Sequence, residues 1–86
     1  MADSETDFTA HATLVKWPSL NKERTPDSVA YVIVFGTLDE CIREFMSKPA
    51  SMRHLYEIHT KPQPPLVTEM MEAELIVEIA RLKDFL

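Results

Sequence analysis

Apolar and polar positions alternate along Phe8–Trp17, FTAHATLVKW. Thr9, His11, Thr13, Val15 and Trp17 fall on one side, and Phe8, Ala10, Ala12, Leu14 and Lys16 on the other. A period of two, rich in threonine and β-branched residues, predicts a strand. Phe8, His11, Ala12 and Val15 also fit the i, i+3, i+4, i+7 spacing, so a helix is the alternative there. Pro18 stops the element, and PSLNKERTPDS predicts a polar loop too long for a tight hairpin turn. The strands on either side of it are expected to be antiparallel neighbours.

Val29–Phe35, VAYVIVF, is apolar at every position. A run without alternation is the signature of a strand covered on both faces, so this segment is predicted to be the central strand. Thr37 and Glu40 have the Thr-x-x-Glu spacing of a capping box, which predicts a helix beginning at Leu38. Leu38, Cys41, Ile42, Phe45 and Met46 then form one apolar stripe, and Lys48-Pro49 ends the helix. After the connection PASMRH, the stretch His54–Thr60 has the β-branched and aromatic content of a third strand. The crossover through the helix is long enough for the second and third strands to lie parallel.

Three prolines in KPQPPL, Lys61 to Leu66, predict a stiff joint. A second helix is expected from about Thr68 to the end, with Glu69, Glu72 and Glu74 early and Arg81 and Lys83 late, as the helix dipole prefers. It has two apolar stripes. Met71, Leu75, Ile79, Leu82 and Leu86 form one; Met70, Ala73, Val77 and Ala80, with Ile76 beside them, form the other. A helix with two seams touches two things, so Met70, Ala73, Ile76, Val77 and Ala80 are the candidate interaction surface. The alternative is that a small sheet wraps the helix and buries both stripes.

The predicted fold class is therefore α+β: a two-layer β-β-α-β-α domain, with a three-stranded mixed sheet and two helices packed on it. Residues 1–7 are expected to be a flexible acidic leader and residues 8–86 a single globular domain. The expected core is Tyr31, Ile33, Phe35, Ile42, Phe45, Leu55, Ile58, Leu75 and Ile79.

Composition narrows the functional classes. With 86 residues, 45% of them hydrophobic and 27% charged, the chain has the make-up of an ordinary globular domain. So small a core leaves association with a second copy or partner a natural source of further burial. A single cysteine favours a reducing, cytoplasmic setting. MADSETDF lacks the basic and apolar regions of a secretory signal, and no apolar run approaches the about 20 residues of a membrane span. Net charge is −5, concentrated at the two ends, with no basic stripe of the kind phosphate binding requires.

Candidate chemistry is sparse. A strand, Gly36 and a helix N-terminus make the skeleton of an anion site, but Asp39 and Glu40 stand where the anion would sit, and no phosphate-loop motif accompanies them. Cys41 falls at the margin of the apolar stripe beside those carboxylates, which favours an inert thiol. His54 and His59, five apart, point to opposite faces of a strand. Glu57 and His59 share a face, and His11 completes a three-ligand set without a spacing signature. No nucleophile motif is present. The expectation is a non-enzymatic intracellular interaction or regulatory module, without cofactor or metal, plausibly self-associating through its C-terminal helix. The alternative is a small-molecule-binding or catalytic accessory subunit with a site at a dimer interface, drawing on Tyr56, His54 and His11.

Overall fold

The computed structural model describes residues 6–20, 23–24 and 29–83. In chain order these form β1 (His11–Lys16), β2 (Ser19–Leu20), β3 (Glu23–Arg24), β4 (Tyr31–Thr37), α1 (Leu38–Met46), a 3-10 helix (Ala50–Leu55), β5 (Tyr56–Thr60), β6 (Met70–Met71) and α2 (Ala73–Lys83). The chain is α+β, as its hydrophobic pattern predicts, and Phe8–Trp17 holds a strand rather than a helix.

The main sheet has four strands in the order β4-β1-β5-β6, every pair antiparallel. It is not the expected three-stranded mixed sheet. The fourth strand is two residues long, too short to leave a periodic signature. β4 and β5 do run in the same direction, joined through α1, but β1 lies between them. β1 and β5 are therefore the interior strands, and β4 is not. The apolar run at Val29–Phe35 forms an edge, where Tyr31 and Phe35 are exposed instead of belonging to the core.

Where a polar loop is expected after Pro18, the described residues form the short β2–β3 pair, Ser19 facing Arg24 and Leu20 facing Glu23; residues 21–22 and 25–28 lie outside the described residues. PASMRH is mostly a 3-10 helix. α2 begins at Ala73, not near Thr68. Met70 and Met71 pair with His59 and Ile58 as β6, so Met71 joins the core from the sheet. Leu86 and residues 1–5 of the expected leader lie outside the described residues. Asp7 is held: its amide donates to Gln63 Oε1 at 2.7 Å, and Gln63 Nε2 donates to its carbonyl at 3.0 Å.

One face of the sheet carries both helices. Ala12 and Leu14 from β1, Tyr56 and Ile58 from β5, and Met71 from β6 meet Leu38, Cys41, Ile42 and Phe45 from α1, with Ile76 and Ile79 from α2. Leu55 and Val67 close the ends, while Ile33 and Leu75 pack only partly against this cluster. Lys83 crosses from α2 to Asp39 of α1, an ion pair at 2.5 Å, with its Nζ 5.7 Å from the centre of the Phe8 ring.

α1 begins as its sequence predicts. The Thr37 hydroxyl accepts from the Glu40 amide at 3.1 Å, and Glu40 Oε1 accepts from the Thr37 amide at 2.8 Å. Gly36 makes this possible, because a Cβ there would run into the Glu40 carboxyl group. At the other end, Arg53 donates to the carbonyls of Met46 (3.0 Å) and Lys48 (3.2 Å), groups a helix end leaves without intrahelical partners. Thr37→Ala removes one half of the capping box and should lower stability by about 1 kcal/mol. Urea unfolding checks this, and an unchanged midpoint would show that the cap carries no load.

Candidate interaction surface

β1 residues alternate between the helix-covered face and the opposite one. Ala12 and Leu14 belong to the core, whereas His11, Thr13 and Val15 point away from it. The pairing carries that second face across the sheet: His11 opposite Thr37, Thr13 opposite Phe35 and His59, Val15 opposite Val32 and Glu57, and His59 opposite Met70. Its upper part is open. Phe35 and Met70 are 72% and 54% exposed. The His11 ring meets Phe35 edge to face, with centroids 4.3 Å apart. Lower down, Val15 and Glu57 are buried, and Glu57 Oε1 lies 3.2 Å from His59 Nε2.

The register between β1 and β4 shifts between Leu14 and Val15, which face Val34 and Val32. Ile33 is thus the extra residue of a β-bulge. Without it, Val32 and Phe35, three apart, would lie on opposite faces. With it, both point to the open face, while Ile33 and Val34 both pack toward the core. β4 is hydrogen-bonded on one side only: among the described residues no strand lies along its outer edge. Val29, Tyr31 and Val32 beside it are 82%, 49% and 59% exposed.

The surface expected on the C-terminal helix is divided. Met70 lies in β6 on the open sheet face, and Ile76 is fully buried beneath α2. Ala73, Val77 and Ala80 stay together on α2, half-buried against the core. Ala73 and Val77, with Ala50, Glu74 and Glu78, line a groove of about 450 Å³ against the 3-10 helix. Arg53 borders that groove, but its guanidinium is committed to the end of α1.

The remaining candidates do not converge. Tyr56 is in the core, His54 borders the groove on α2, and His11 stacks on Phe35 across the sheet. Among the described residues no group of three or more His, Cys, Asp or Glu side chains is placed to hold a metal ion. The turn at Gly36-Thr37 has no donors to offer an anion. The Leu38 amide donates to the Ala10 carbonyl (2.8 Å) and the Asp39 amide to the Phe8 carbonyl (2.9 Å), while Glu40 and Thr37 satisfy each other. Cys41 is fully buried, and its pKa is pushed up to about 11 by burial first and the Glu40 charge second. KPQPPL folds back on itself, with Gln63 and Val67 exchanging backbone hydrogen bonds at 2.8 and 3.1 Å.

No family model matches the chain, and no curated protein or solved structure shows significant similarity to it. Among the described residues no helix is long and apolar enough to cross a membrane.

Proposed function

We propose that this chain is a small non-enzymatic protein-interaction module that receives an extended polypeptide strand along the outer edge of β4. The observation that carries this reading is the edge itself: seven residues, Tyr31–Thr37, without a charge or a proline, paired on one side only among the described residues and bearing exposed Tyr31, Val32 and Phe35. An open edge presents backbone donors and acceptors to any passing strand, and proteins ordinarily protect such edges with lysine, proline or a covering loop. Strand addition turns the same groups into affinity, and alternate side chains supply the selectivity. The flanking open face adds Phe35 and Met70 as apolar contacts and His11 and His59 as polar ones.

The basic side chains support a protein partner over a nucleic acid. Among the described residues Arg43 pairs with Asp39 at 3.0 Å, Lys48 pairs with Glu44 at 2.8 Å, and Arg53 donates to carbonyls, so these three cations are engaged within the chain rather than gathered for phosphates. A buried lone cysteine suits the reducing conditions of the cytoplasm.

Selection of a displayed peptide library against the intact chain tests the reading. Binders are expected to lose about tenfold or more in affinity for Phe35→Lys and to keep it for Val77→Glu on α2. Binders with the reverse preference would move the contact to the helix seam. Failure to select any binder would tell against a docking edge.

A further inference from the structure

We infer that the strand received by β4 is β4 of a second copy, antiparallel about a two-fold axis, so that two four-stranded sheets continue into one of eight strands. This deepens the docking reading above and rests on it, because it names the occupant of that edge.

The facing pattern of β4 is the main argument. Tyr31 lies opposite Lys16, on the side of the sheet where Lys16 reaches over the Tyr56 ring. Val32 faces the open side, Ile33 and Val34 face the helices, Phe35 faces the open side, and Gly36, opposite Ala12, faces the helices. From Tyr31 to Gly36 the order is helix side, open, helix side, helix side, open, helix side. Read backwards it is unchanged. Residues directly opposite in an antiparallel pair share a face. A regular six-residue strand centred on its own two-fold axis would put every residue opposite one of the wrong face; the bulge at Ile33 corrects this. In the matched register Val32 meets the partner's Phe35, Ile33 the partner's Val34, and Tyr31 the partner's Gly36. The two β4 side chains of each copy that face the open side, Val32 and Phe35, 59% and 72% accessible when alone, come together as one cluster of four around the axis.

Charge points the same way. The chain carries −5 overall, so two copies repel at most approaches. Val29–Thr37 is a run of nine residues with no charged side chain, so this pairing sets no like charges opposite one another. A domain of this size also gains most from a surface that extends its burial.

Cysteine pairing reads out the register. Val32→Cys and Phe35→Cys chains, mixed under a mild oxidant such as diamide, should form the mixed disulfide dimer in preference to either symmetric one. Cβ atoms directly opposite lie about 4.5–5.5 Å apart, whereas each cysteine and its own copy are offset along the strands. Sedimentation of the wild-type chain should show a concentration-dependent dimer, with Phe35→Lys weakening it about tenfold or more. Both substitutions to cysteine are at exposed positions, and circular dichroism confirms that they fold. A wild-type chain that stays monomeric at high concentration overturns the self-pairing. If Phe35-dependent peptide binders are still selected, the docking edge stands with another occupant; if they are absent too, both fall. Symmetric disulfides forming faster than the mixed one overturn the register.

Discussion

Phe45→Ala is expected to destabilise the chain by about 3–5 kcal/mol. Phe45 has no solvent exposure, sits on the sheet-facing side of α1, meets the Tyr56 ring edge to face with centroids 6.4 Å apart, and lies under the Arg53 guanidinium at 5.8 Å. Its removal leaves a cavity at the junction of α1, β5 and the 3-10 helix, which cannot collapse without moving the sheet. A domain of this length has a total stability of about 4–13 kcal/mol, so one substitution takes a large share of it. Thermal melting should show a midpoint lower by about 12–40 °C, at roughly 4–8 °C per kcal/mol. Phe45→Leu, which keeps much of the volume, should recover most of the loss. A fall of only a few degrees for Phe45→Ala would mean that the core is not centred on this ring.

The position of Phe45 was legible before any coordinates, and so was most of α1. Its signals are local: a capping box four residues wide, a 3.6 period, and a Lys-Pro stop. β4 was legible as a strand but not as an edge. Seven apolar positions in a row have two physical origins: helices or sheets on both faces, or one covered face and one face left open. Composition is the same in both cases. The bulge that sorts Ile33 and Val34 inward and Val32 and Phe35 outward depends on the register with β1, a contact between segments far apart in the chain. The sequence pattern starts α2 too early, near Thr68 instead of Ala73, for a similar reason. Met70 and Met71 fit a helical stripe, yet the backbone of β5 offers them ladder hydrogen bonds, and tertiary pairing outweighs so weak a propensity. The helical spacing therefore joins into one stripe residues that the fold divides: Met70 belongs to the sheet and Ile76 to the core, as the alternative of a buried stripe has it.

Cys41 should make the folded chain sensitive to alkali. Burial, reinforced by the neighbouring Glu40 charge, raises its thiol from the ordinary value of 9.0 to about 11. The unfolded chain therefore loses this proton first. Below pH 9 both states keep it and stability is unaffected; between pH 9 and 11 the unfolded state is increasingly favoured. At about 1.4 kcal/mol per unit, the difference reaches about 2 kcal/mol at the upper end of that window. Urea midpoints measured from pH 8 to 11 should fall in the wild type and fall less in Cys41→Ala, each compared with its own value at pH 8. Equal slopes would remove Cys41 as the cause. The same burial means that a thiol reagent at neutral pH should label the native chain at the rate at which the core opens, not at the rate of a free thiol.

The place of β1 between two strands that point the same way has its own consequence. Adjacent strands lie about 4.8 Å apart, so β4 and β5 stand about 9.6 Å from each other across it, beyond the reach of any hydrogen bond between them. Neither can substitute for β1, and no smaller sheet can form from the two of them in place. Six residues, His11–Lys16, thus act as a keystone: among the described residues every ladder bond β4 makes within the chain, and the larger part of those made by β5, require it. The strand between them is the one both wait for, which makes assembly of this sheet a single cooperative event.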